Sequence, residues 1–179
     1  LSKIPTRIVT IEHDPFSAGN FRGDTAYTVP LAKENGYINR LISISKKEGV
    51  ELILVGTDIE LGIIAKHRQL IERATGAHVI VSSPKAIAIA DDKWRTVQFL
   101  QKNGFSTPAS CLPKDLPGFV KRHSFPLVVK PRIGARSVGF RIVNNQNELN
   151  EHLATLPDPI IQEYLKNSDE EYNCAAFYL

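Results

Sequence analysis

Methionine is absent from the 179 residues, tryptophan occurs once and cysteine twice. Cys111 and Cys174 lie far apart and match no CxxC spacing, which excludes a disulfide framework or a zinc knuckle and leaves both as small apolar core residues. The histidines, His13, His67, His78, His123 and His152, show no pairwise metal spacing, so no metal site is expected within these residues. No apolar run approaches the ~18 residues that a membrane span needs, and residues 1–5 have no signal-peptide core, so the expectation is a soluble, cytoplasmic chain. Charge of one sign is also scarce. Lys plus Arg number 22 against 19 Asp plus Glu, the longest basic clusters are Lys46-Lys47 and Lys121-Arg122-His123, and this is too dilute for a nucleic-acid surface. No GxGxxG occurs, which leaves a self-sufficient dinucleotide site unsupported. With Leu at position 1 and an apolar run at 175–179, the sequence reads as a piece of a longer polypeptide.

What is present is 42% hydrophobic, enough for one or two compact domains. Residues 7–12 and 26–29 read as strands, and 37–48 as a helix with Ile38, Leu41, Ile42 and Ser45 on one face, closed by Gly49. The nearly all-apolar stretch 51–55 suits a parallel strand covered on both faces. A turn and N-cap at 56–58 then open a helix with a buried stripe of Ile59, Ile63, Leu70, Ile71 and Ala74, ended by Gly76 before a strand at 78–81. This alternation predicts βαβ units of a parallel sheet over residues 1–83. Two helical pieces, 84–90 and 91–103, act as a connector over 84–104. From 105 the texture changes: strand (125–131), glycine loop, strand (139–143), helix (146–154), strand (159–165).

Chemistry concentrates in three places. Lys130 ends an apolar strand and is followed by a loop in which Arg132, Arg136 and Ser137 stand among Gly134 and Gly139. Glycines let backbone N–H groups approach a ligand, and several cations suit a polyphosphate better than one carboxylate, although a hairpin with a basic, solvated tip has the same local pattern. The spacing is not that of a Walker loop. Residues 160–165 form an apolar strand whose end carries Gln162, Glu163 and Tyr164, followed by an acidic segment with Glu170 and Glu171. Such an end can receive a purine through edge hydrogen bonds, with a carboxylate for ribose hydroxyls; solvated acidic loops are the commoner case. Finally, Asp91-Asp92-Lys93 opens a helix, where carboxylates suit the dipole and the lysine can reach a phosphate.

Taken in order, the Asp92-Lys93 helix, the Gly104-to-Pro108 turn, the Lys130-to-Gly139 strand and loop and the Gln162-Glu163-Tyr164-Leu165 segment resemble the ATP-grasp superfamily. The whole chain looks like its carbamoyl-phosphate-synthase-like branch. The resemblance implies an α/β fold: a parallel-sheet, Rossmann-like pre-ATP-grasp domain (1–83), the helical connector, and an incomplete α+β ATP-grasp domain (105–179). It implies that Lys93 and Lys130 contact ATP phosphates and serve catalysis. It further implies that Arg132, Gly134, Arg136, Ser137 and Gly139 form a loop over those phosphates. Gln162 with the backbone of Glu163 and Leu165 would hold adenine, and Glu171, preferred over Glu170, would bind ribose. Arg136 stands where similar loops often have Gly, and Gln162 where the family often has a carboxylate. Magnesium ligands are expected beyond Leu179, and the usual first strand of the preceding domain ahead of Leu1.

The activity so implied is ATP-dependent ligation. A carboxylate or bicarbonate is activated as an acyl phosphate for attack by an amine or ammonia, with ATP and a small-molecule substrate as partners, no nucleic acid or membrane, and a homodimer as a possibility. A module that senses ATP without turning it over is the alternative, and a Rossmann-type NAD(P) protein a weaker third.

Overall fold

A computed structural model describes residues 5–134 and 137–166. Contacts divide the chain into two compact units, Leu1–Ile87 and Ala88–Leu179, a division inside the stretch read above as a helical connector.

In unit 1, β1 (Val9–Glu12) pairs in parallel with β2 (Thr25–Thr28), and β3 (Leu52–Leu54) in parallel with β4 (His78–Ile80), as two separate two-stranded sheets. Helix α1 (Tyr37–Glu48) connects β2 to β3, and α2 (Asp58–Thr75) connects β3 to β4. Each helix ends at a glycine in the left-handed conformation, Gly49 (φ 62°) and Gly76 (φ 76°), which stops the helical hydrogen-bond run as the sequence predicts. The core gathers Tyr37, Leu41, Ile44, Ile53, Ile64, Ile71 and Val79, with Val9, Ile11 and Tyr27 packed against it. Of the expected stripe of α2, Ile71 is buried and Ile63 packs against the core, but Ile59 and Leu70 are 75% and 52% exposed, and Ile64 and Ala65 are buried in their place.

Backbone polarity within the strands shows which edges are free. The carbonyls of Ile8 and Glu12 accept from Asp24 and Val29 on the β2 side, so Val9 and Ile11, one residue out of phase, turn their amides and carbonyls the other way. Likewise Glu51 accepts from His78, which leaves Leu52 and Leu54 turned away from β4. Strands β1 and β3 both line one cavity of about 360 Å³, together with Tyr37, Leu41 and Glu60. Leu52 and Leu54 are 51% and 70% exposed, so the sheet face opposite Ile53 is uncovered.

Unit 2 holds the second half of α3 (Pro84–Asp91), and then α4 (Lys93–Lys102), β5 (Ser110–Cys111), α5 (Leu116–Arg122), β6 (Leu127–Pro131), β7 (Arg141–Val143), α6 (Gln146–Thr155) and β8 (Pro159–Glu163). Its four strands make one antiparallel sheet in the order β5-β8-β6-β7. Because strand side chains alternate, Leu127 and Val129 of β6, Ile161 of β8, Val143 of β7 and Cys111 of β5 share one face. There they pack under Phe119 of α5 and Leu149 of α6. The opposite face therefore carries Val128 and Lys130 of β6, Ile142 of β7, Ile160 and Gln162 of β8, and Ser110 of β5. Strand, glycine loop, strand, helix, strand is as the sequence predicts; the two-residue edge strand β5 is not.

No helix among the described residues is long and apolar enough to cross a membrane.

Candidate nucleotide site

Lys130 is the single lysine of an otherwise apolar strand, and its register places it opposite Ile160, two residue pairs beyond Val128 and Gln162. The register thus brings two of the residues singled out above, Lys130 and Gln162, to the same sheet face. The Lys130 side chain is half-buried, and among the described residues it has neither a carboxylate nor a hydrogen-bond partner. Burial, and then the charge of Lys93, hold its pKa below the usual lysine range. Two cations gathered without an acid to neutralise them are an arrangement that an anion completes.

Lys93 is brought there by Asp92. The Asp92 carboxylate is 4% exposed and caps α4 by accepting from the amides of Trp94 (2.9 Å) and Arg95 (3.3 Å). It also receives the Arg132 guanidinium in a two-point grip, Nε at 3.2 Å and Nη2 at 2.5 Å. The Arg132 hydrogen bond, and then the two helix amides, hold the Asp92 carboxyl below the usual carboxylate range. Arg132 also closes the far side: its Nη1 lies 3.3 Å from the Asp158 carboxylate, and its amide donates to the Asp158 carbonyl at 3.1 Å. Asp158 itself sits at φ 45°, a left-handed conformation costly for a residue with a side chain. The Arg132 carbonyl accepts from the Lys93 amide at 3.0 Å. The Lys93 ammonium donates to the Gly134 carbonyl at 2.9 Å and to that of Arg132 at 3.4 Å. Of its three N–H donors, one is left unclaimed among the described residues.

The other foot of the glycine loop rests on α6. Gly139 (φ 75°) accepts at its carbonyl from a ring nitrogen of His152, 3.0 Å away, and a Cβ built there would meet Leu156 Cδ1 at 2.7 Å and Pro131 Cγ at 3.0 Å. Only glycine fits. Ser137, at φ 56°, is exposed, and Arg136 lies outside the described residues.

At the end of β8, Gln162 is 7% exposed and its Nε2 donates to Ser110 Oγ at 2.8 Å. The Ser110 hydroxyl spends its single hydrogen on the Pro108 carbonyl at 2.7 Å. Glu163 is taken up locally: its amide donates to the Ala109 carbonyl (2.9 Å) and its Oε1 accepts from the Ala109 amide (2.8 Å). Leu165 is exposed, and beside this segment a cavity of about 430 Å³ opens among Arg122, His123, Pro126, Glu163, Tyr164 and Lys166. Glu170 and Glu171 lie outside the described residues. Among the described residues no group of three His, Cys, Asp or Glu side chains is placed to hold a metal ion.

Residues 2–80 match the family model described as PylC-like, N-terminal domain, and residues 90–172 match that of the ATP-grasp domain. The chain belongs to the ATP-grasp superfamily. It is similar to a carbamoyl-phosphate synthase of Methanobrevibacter smithii, 23% identical over 147 residues that cover 82% of this chain and 39% of that protein. It is also similar to D-alanine–D-alanine ligase A of Bacillus cereus, 28% identical over 75% of this chain and 50% of that protein. Among solved structures, the ADP-complexed N5-carboxyaminoimidazole synthetase of Staphylococcus aureus shares its fold, with a TM-score of 0.67 and 16% identity over 89% of this chain and 41% of that one. This ATP-grasp chain therefore spans half or less of the length of these relatives.

The sequence reading passed over three residues that shape the site: Ser110, Asp158 and His152. All three act through contacts with residues distant along the chain, which local spacing does not encode.

Proposed function

We propose that the Lys130 face of the unit 2 sheet is one wall of an ATP-binding cleft, and that the intact protein is an ATP-dependent ligase. The observation that carries this reading is the half-buried, unneutralised Lys130 ammonium with Lys93 as its cationic neighbour. Bound there, ATP would supply a γ-phosphoryl group to a carboxylate or bicarbonate, giving an acyl phosphate that an amine or ammonia attacks with loss of phosphate.

The chain's own residues divide the work. Lys130 and Lys93 neutralise the phosphate oxygens, where charge accumulates as the bond to the leaving ADP breaks. Their positions are set before ligand arrives, so little reorganisation is needed at the moment of transfer. Gln162 offers a hydrogen-bonding edge to adenine from the same face, with the 163–165 backbone beside it. Arg132, whose fork lies on Asp92 and Asp158, is assigned to the base of the loop rather than to a phosphate. Gly134, Ser137 and Gly139 give the loop its close backbone approach. Arg136 is assigned to the loop and Glu171 to the ribose on the family resemblance alone. No group of three His, Cys, Asp or Glu side chains gathers among the described residues, and the neutralisation assigned here is that of the two lysines.

The test is ATP binding by calorimetry, and ATP- and amine-dependent release of phosphate, in the intact protein. Lys130→Met should abolish both while the circular dichroism spectrum is retained. Unchanged ATP affinity in that variant removes the lysine from the site; ATP binding with no phosphate release under any carboxylate and amine supplied leaves a nucleotide sensor in place of a ligase.

A further inference from the structure

The hydrogen-bond chain Gln162–Ser110–Pro108 has a direction, and the direction matters. A side-chain amide has a donating and an accepting end of nearly equal shape, so its orientation is decided by its partners. The Pro108 carbonyl can only accept. Ser110 Oγ lies 2.7 Å from it and has a single hydrogen to give, so toward Gln162 the hydroxyl oxygen has only its lone pairs left. The group facing it at 2.8 Å must then be the amide nitrogen of Gln162. The Gln162 carbonyl is thereby turned away from Ser110, with no partner among the described residues, on the sheet face that also bears Lys130. The backbone holds this arrangement, because Ser110 and Gln162 are paired residues of β5 and β8 and the next residue of β8 is bonded to Ala109 through both its amide and its carboxylate.

A free amide would present either end to an incoming base. A fixed one presents an acceptor. We propose that Ser110 is a specificity-determining positioning residue: by locking the Gln162 amide with its carbonyl outward, it makes the site favour a purine bearing a 6-amino group and reject one bearing a 6-oxo group. The amino group of adenine donates to that carbonyl. The 6-oxygen of guanine would set two acceptors against each other, and the amide can turn its nitrogen toward that oxygen only by setting its own oxygen against that of Ser110, whose single hydrogen is held by the Pro108 carbonyl. Ser110 need not touch the nucleotide.

The inference rests on the nucleotide reading above, and the experiment separates the two. Dissociation constants for ATP and GTP are measured on the intact protein and on Ser110→Ala and Ser110→Thr. The native protein should prefer ATP; Ser110→Ala should narrow the ATP-to-GTP ratio by about tenfold, the size of one hydrogen bond gained or lost, and Ser110→Thr should keep it. A ratio unchanged in Ser110→Ala, an equal loss for both nucleotides, or a native protein without preference overturns the proposal while leaving the ATP site standing. A native protein that binds neither nucleotide overturns the site reading, and this proposal with it. Should Ser110→Ala fail to fold, Ser110→Cys replaces it, a thiol being a poor acceptor for an amide.

Discussion

In unit 1 four strands lie as two parallel pairs whose inner edges border a common cavity, whereas in unit 2 four strands join in one antiparallel sheet. Parallel strands are ordinarily covered on both faces, and β3 lacks such cover over Leu52 and Leu54. Antiparallel strands tolerate one face without a packed layer, and the second face of the unit 2 sheet carries Lys130 and Gln162. The two units differ in where their unfinished business lies: in backbone edges for the first, in side-chain charge for the second.

The largest expected effect compares equal truncations. Ile161→Ala, at a residue with no exposure, should cost about 4 kcal/mol, and Ile53→Ala, beside the cavity, about 2 kcal/mol, because fewer neighbours surround it. Urea unfolding followed by circular dichroism, with Trp94 fluorescence as a reporter placed in unit 2, measures both; equal costs would mean that the cavity does not loosen the first core. Gly139→Ala comes next. Its left-handed backbone and the approach of Leu156 and Pro131 predict a loss of about 2 kcal/mol, readable in the same titration, and a wild-type midpoint would show that the loop foot is not held as described.

The smallest effect has the opposite sign. The folded protein holds the Lys130 pKa below its unfolded value, so the unfolded chain binds that proton more tightly, and the charged ammonium lowers stability. The penalty is present in full below the depressed pKa and fades as pH rises toward the ordinary lysine value. Lys130→Met should therefore raise the Tm of the nucleotide-free protein at neutral pH by roughly 2 °C, with the gap closing as pH climbs through that window. A variant less stable than the native protein at pH 7 would mean that Lys130 is satisfied within the fold.

Much of this architecture is legible in the sequence where one local rule suffices. Helix α1 runs over residues 37–48 as its periodicity and Gly49 require, and the β6-loop-β7 unit follows from an apolar run, two glycines and a second β-branched run. The buried stripe of α2 is legible at Ile63 and Ile71 but not at Ile59, which sits in the first turn beside the cavity, or at the exposed Leu70; Ile64 and Ala65 complete it instead. Strand β5 is two residues long and has no period to read; only its pairing with β8 defines it. In the site, Lys130 and Gln162 are visible as polar residues ending apolar strands. Arg132 is visible as a cation in a glycine loop, whereas its pairing with Asp92 and Asp158 is not, since both lie far from it along the chain.

Among the described residues, the amides and carbonyls of Val9, Ile11, Leu52 and Leu54 face no neighbouring strand, and β1 and β3 both border one cavity. Backbone donors and acceptors so placed ask for water within that cavity to satisfy them.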